Sequence, residues 1–351
     1  MATIEDALQS SSPPSQRASR RSSLQAWYAD RRGRGAVEVT ALFVLLQVGC
    51  VVFALKFPKS FAYLDKANIG VMSQSIPWLA MLAIGSGIVM MVGELDLSIA
   101  MAMGFCEMVF VTWYSHGHSA WVSAAVAILL GMAIALINAI IINVTKIASF
   151  IATLGMASFW WGAQQWYVGG NGVAPRIPSE KVSKSLETVF RASLWHGFRG
   201  QMIWLVVVTA LVAVVVHRHR IGNHILAVGG NENAARSISI NPKRVRIVAF
   251  LMLGALVGLA AVLKGVQEKT LIPGTGVGYE LEAITAAVIG GTALRGGKGS
   301  VVGAVLGVGF LKTFQAISLL TQLDAFYYKV YVGIMILAFA IINQFFERRA
   351  K

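Results

Sequence analysis

The chain has 351 residues, of which 56% are hydrophobic and 13% charged, and a formal net charge of +14. Its mean hydropathy of +0.66, with apolar runs of about 20 residues, excludes an ordinary soluble domain and points to an integral membrane protein. The bases cluster at the ends of apolar runs, so the positive balance reads as topology-setting charge and not as a nucleic-acid surface.

Residues 1–36 are rich in Ser, Pro and Arg and read as a disordered, basic cytoplasmic tail. They contain no apolar stretch of the signal-peptide kind, and "SRRSS" at 19–23 lies too far from the next apolar run to serve as a twin-arginine signal. Candidate spans follow at 37–56, 69–92, 97–115, 119–144, 148–168, 201–217, 245–266, 279–293, 299–321 and 326–346. The expected fold is all-α, a polytopic transmembrane bundle of about ten spans, with a permease domain over 37–346. Thirty-five glycines against eight prolines suit close helix packing, and sustained strand-like alternation is missing, which argues against a barrel. Residues 347–351 form a second short basic tail.

Arg17, Arg20, Arg21, Arg31, Arg32 and Arg34 place the N-terminus inside. Counting from there, the loops with Lys146, with Arg218 to Arg244, and with Arg295 and Lys298 face the cytoplasm, as does the C-terminus. The eighth segment is short. A full crossing is expected, because a re-entrant turn would move Arg295, Lys298 and the basic C-terminus outside. The loop at 169–200, holding Pro175 and Pro178, is the longest connection and is assigned outside despite its five bases.

Cys50 and Cys106 lie within apolar spans and indicate no disulfide framework. His116 and His118, and His217 and His219, lack a third ligand at metal-site spacing, and no nucleophile–base set is supported. Two charges fall deep in spans, Glu107 and Lys312, which suggests that they pair. In "GELDLSIA" (93–100), Gly93 ends one span and Asp96 or Ser98 can cap the next. Glu94 and Asp96 need bases or backbone N–H partners at such a boundary. This turn is either helix punctuation or part of an inner gate.

Phe150, Thr153, Ala157, Trp160 and Gln164 recur at helical spacing on one face of the fifth span. Such a face is either a packing stripe or a lining of modest hydrogen-bonding groups and aromatic rings suited to a sugar, with Asn138 and Gln315 as further lining candidates. Asn138 and Asn143 could equally join helices.

The polar stretch "GGNENAARSISINPKRVR" (229–246) separates two spans. Asn231 can cap a short helix, Glu232 suits its N-terminal dipole, and Asn241–Pro242 restarts the chain. A passive loop does not need such defined ends.

These residues resemble the cytoplasmic coupling loop of sugar-type ABC transporter permeases, the ribose and xylose class. Asn233 stands where alanine is usual there, and Ser239 where glycine is usual. Four further stretches agree with that family in order: "GELDLSIA", "SFIATLGMASFWWG" (149–162), "GYELEAITAAVIGGTALRGGKGSVVGA" (278–304) and "FQAISLL" (314–320). The resemblance implies a type II-like ABC importer permease architecture. It implies no cofactor on this chain, with ATP-Mg held by a partner ATPase that docks on Gly230, Asn231, Glu232, Ala234, Ala235, Arg236 and Asn241. The other implied partners are an extracytoplasmic sugar-binding protein and a second permease copy or homologue. Membrane lipids surround the subunit, and its place is the bacterial inner membrane. "GGTALRGGKGS" fails the P-loop spacing and reads as a glycine-rich turn, with a second ATPase contact as the alternative. Outside the family, a stand-alone secondary transporter or channel is the competing reading, and within it an ABC permease for branched-chain amino acids.

Overall fold

The computed structural model describes residues 34–169, 176–177, 184–269, 274–323 and 325–349. The expected disordered tail falls largely at 1–33, outside the described residues. Among the described residues the structure is helical, with no strand and only isolated bridge positions, at Arg176 and between Ser193 and Arg199.

The helices are α1 (Arg34–Lys56), α2 (Lys66–Met91), α3 (Ile99–Ser115), α4 (Ala120–Thr145), α5 (Ser149–Tyr167), α6 (Lys184–Arg191), α7 (Gln201–Arg218), α8 (Arg220–Gly230), α9 (Glu232–Ser237), α10 (Pro242–Glu268), α11 (Tyr279–Ile289), α12 (Val301–Leu320) and α13 (Ala325–Arg349). Each of the ten expected spans coincides with one of these. The C-terminal tail expected at 347–351 is helical up to Arg349, because α13 continues that far.

Among the described residues, six helices are long and apolar enough to cross a membrane: α1, α2, α4, α7, α10 and α12. That is fewer than the ten expected, for local reasons. Two apolar helices are shorter, α3 and the Tyr327–Phe339 part of α13. In α3 the reason is that the chain stays non-helical over 92–98. The 19 residues of α5 include Trp160, Trp161, Gln164 and Gln165, which dilute its hydropathy.

The largest departure is α11. The segment 279–293 was expected to cross as a helix, but α11 has 11 residues, a length of about 16 Å against a hydrocarbon core of about 30 Å. Its approach is non-helical: Gly274 N donates to Gln164 Oε1 (3.1 Å), and a Cβ on Gly276 would lie 2.5 Å from Ala100 O. These contacts hold the non-helical backbone at Gly274 and Gly276 against α5 and α3.

α2 lies at the centre. From Trp78 to Met91 it is buried on every side, with α10, α11 and α12 packed against it and α7 along one side. Pro77 is accommodated within it. α1 and α7 are peripheral, and they expose Leu45, Val48, Val52 and Leu55, and Val206, Leu211 and Val214. On a membrane protein such faces meet lipid.

Small residues set the closest crossings. Gly254 and Gly258 of α10 are spaced as in GxxxG, and a Cβ on Gly254 would fall 2.4 Å from Gly131 O of α4. Gly303 and Gly307 of α12 repeat the spacing against α11, where a Cβ on Gly307 would fall 2.1 Å from Ala286 O.

Candidate functional site

The polar elbow begins earlier than the sequence reading placed it. After α7 the chain turns at His219, whose ring accepts from Ile221 N (3.3 Å), and forms α8. Ile225 and Val228 are buried on one side of that helix. Ile221, Ile225 and Val228 recur at helical spacing, a signal that could have revealed α8.

At Asn231 the chain turns again. The Asn231 side chain accepts from Ala234 N (3.0 Å) and so caps α9. Ala235 is buried, whereas Gly230, Asn231, Asn233, Ala234, Arg236, Ser237 and Ile238 are exposed. α9 ends in a Schellman motif: Ser239 N donates to Arg236 O and Ile240 N to Ala235 O. Ser239 occupies the left-handed position at φ +64°, a conformation that costs an L-residue about 1–2 kcal/mol. Asn241 then caps α10, accepting from Lys243 N (3.1 Å) and Arg244 N (3.4 Å), with Pro242 opening the helix.

The strain at Ser239 gives an expected outcome. Ser239→Gly should stabilise the elbow by about 1 kcal/mol, somewhat offset by the freedom glycine gains when unfolded. Amide hydrogen exchange across 234–240 should slow about fivefold; faster exchange would contradict the assignment of strain.

The turn at 93–98 packs on this elbow. Gly93 closes α2 at φ +91° in another Schellman motif, with Gly93 N on Met90 O and Glu94 N on Val89 O. The segment that follows is held from two sides. Leu95 N donates to Ser149 Oγ (3.0 Å) and Leu97 N to Thr153 Oγ1 (3.0 Å), both on α5. Asp96 is buried, accepting from Ser98 N (2.7 Å), Ser98 Oγ (2.6 Å) and Asn138 Nδ2 (3.0 Å). Ser98 makes no side-chain cap to α3; Asp96 instead closes a local turn onto it.

Three glycine segments meet here without side chains between them. A Cβ on Gly296 would lie 2.9 Å from Gly93 Cα, one on Gly297 2.7 Å from Gly230 Cα, and one on Gly229 1.9 Å from Met91 O. Gly297 N also donates to Met91 O (2.9 Å). The 93–98 turn, the elbow and the glycine-rich turn therefore touch backbone to backbone.

Charge joins the same elements. Glu232 accepts from Arg236 through one carboxylate oxygen (2.6 Å) and from Arg246 through the other (2.6 Å). Arg246 Nε donates to Glu94. The Arg236 guanidinium, aided by Arg246, holds the Glu232 carboxyl below its usual range. The cluster therefore stabilises the elbow above the ordinary carboxyl pKa, and that contribution is lost only as pH falls through the depressed folded value. The sequence reading had not assigned Arg246 a role.

The other candidate residues are mostly engaged with protein. Thr153 is buried and donates to Ser149 O (2.9 Å). Gln164 is buried, its amide donating to Met101 O (2.9 Å). Trp160 is buried against Phe105 at a ring-centroid distance of 5.0 Å. Phe150 lies on the exposed side of α5. Asn138 binds Ser98 as well as Asp96, and Asn143 ties α4 to α10 through Lys243 O (3.1 Å). Gln315 accepts from Lys312 (2.9 Å).

The expected Glu107–Lys312 pair does not form. Glu107 on α3 meets Lys264 of the neighbouring α10 (3.4 Å), and Lys264 also donates to Glu268 (2.6 Å). Lys312 of α12 meets Glu282 of the adjacent α11 (3.1 Å) and sits over the rings of Trp78 and Tyr328. The partners follow helix adjacency: α3 packs on α10, and α12 on α11.

A helical bundle with helices long and apolar enough to cross a membrane, a turn anchored by the buried Asp96, and a bounded polar elbow fits a membrane permease as the class. The family of the "branched-chain amino acid transport system / permease component" matches residues 69–340, and the chain belongs to that family. It is similar to the autoinducer 2 import system permease protein LsrC of Escherichia coli O9:H4 (strain HS), 28% identical over 307 residues, 87% of this chain and 86% of the relative. It is likewise similar to the protein of that name in Salmonella paratyphi B, 26% identical over 306 residues, 87% of this chain and 85% of the relative. The chain is thus a multi-pass membrane protein, the permease component of a transport system.

Proposed function

We propose that this subunit serves an ATP-driven, binding-protein-dependent importer of a sugar, polyol or related small polar solute. The observation that carries this reading is α9, a helix capped at both ends, standing between two spans with Asn233, Ala234, Ser237 and Ile238 exposed. That surface fits docking of a soluble ATPase, which would supply the hydrolysis. The relatives named for autoinducer 2 import support a small polar solute. Two permease copies, or this chain and a homologue, would enclose the path, and an extracytoplasmic binding protein would deliver the cargo.

The elbow face would be cytoplasmic, with both termini on that side of the bacterial inner membrane. Arg218, Arg220, Arg236, Lys243, Arg244, Arg295 and Lys298 support this orientation. In the secondary-transporter reading, Glu107 and Lys312 would act as ionisable relays. Both are already committed to ion pairs.

The test reconstitutes the permease with its ATPase and binding protein in proteoliposomes. Uptake is followed across a panel of sugars, polyols and branched-chain amino acids. ATP-dependent uptake of a polyhydroxylated solute is expected. Uptake driven by an ion gradient without the ATPase would overturn the reading, and selective uptake of branched-chain amino acids would reassign the solute.

A further inference from the structure

Arg246 occupies a position that the docking reading does not itself require. It lies in the second turn of α10, its side chain 18% exposed, between two acids from different elements. One acid, Glu232, belongs to the elbow helix; the other, Glu94, opens the gate turn. The gate turn is bound onward to α5 through Ser149 and Thr153 and to α4 through Asn138. A continuous set of polar contacts therefore runs from α9 through one guanidinium to the segment before α3.

We propose that Arg246 is a positioning residue that transmits displacement of the elbow to the gate turn. This rests on the docking of an ATPase at α9. Its planar fork donates to two carboxylates at once, through Nε to Glu94 and through Nη2 to Glu232. When α9 moves, the guanidinium must follow Glu232 and pull Glu94, or release one of them. Glu232 is itself braced by Arg236, so its carboxylate moves with the helix. The glycine junction beneath keeps the two segments in backbone contact while the guanidinium sets their lateral register.

The test uses the complete transporter in proteoliposomes, with ATP hydrolysis and uptake measured on the same preparation. The solute is the one that the wild-type complex carries from the panel above. Arg246→Gln should keep ATP hydrolysis while uptake per ATP falls about tenfold, within the range of ordinary coupling energies. Arg246→Lys should rescue uptake only in part, because an ammonium cannot reproduce the fork. Glu94→Gln, which leaves the elbow intact, should show the same split. The double variant Glu94→Gln/Arg246→Gln should be no worse than either single change. A wild-type ratio of uptake to hydrolysis in both single variants would overturn the relay, as would losses that multiply in the double variant. If the wild-type complex itself shows no ATP-dependent uptake, the docking reading falls and the relay falls with it.

Discussion

Glu232→Lys is expected to abolish ATP-driven uptake while leaving the permease inserted in the membrane. Glu232 is where two guanidiniums converge, and Arg246 is also held by Glu94. A lysine there would set three bases against the single carboxylate of Glu94. It would also place a cation at the positive end of α9, a position that favours acids by about 0.3–1 kcal/mol. The elbow would lose its bracing, but the spans on either side bury apolar surface independently of it. Uptake in proteoliposomes, read beside the amount of permease in the membrane fraction, checks this. Normal uptake by the variant would count against docking at α9.

Lys264→Met is expected to destabilise the bundle by about 3–5 kcal/mol, because it strands Glu107 as a buried acid without its base. Glu107 and Lys264 are fully buried, whereas the second acid on Lys264, Glu268, is 43% exposed and can be solvated instead. The paired change Glu107→Gln/Lys264→Met should recover much of the loss, since replacing both partners removes the uncompensated charge. Thermal unfolding of the purified permease in detergent distinguishes the cases. A single variant as stable as the double would show that the ion pair contributes nothing to α3–α10 packing.

Hydrophobic periodicity located the helices well. The run from 119 to 144 became α4 at Ala120–Thr145, and that from 245 to 266 became α10 at Pro242–Glu268. The elbow caps at Asn231 and Asn241 were readable for a local reason: each depends on residues within three positions of itself. Partner choice was not readable in the same way. Its depth in a span says that Glu107 needs a partner, but not that α10 is the helix that supplies it. Lys264, near the end of its span, therefore went unnoticed as the nearer base. Arg246 was missed for the same reason, since its contact with Glu94 spans 152 positions. α8 escaped because its apolar face is short, resting on Ile221, Ile225 and Val228 alone within an 11-residue helix. The family resemblance supplied the permease class, which no single motif's chemistry would have fixed.

The shortness of α11 bears on how the chain enters the bilayer. Eleven residues with two acids in the first turn, Glu280 and Glu282, are too short and too polar at one end to make a good insertion signal alone. α12 carries its own charge, Lys312, and that lysine is the partner of Glu282. Each segment thus holds the counter-ion that the other needs. α11 and α12 are therefore suited to entering the bilayer together, as one hairpin closed by the glycine-rich turn.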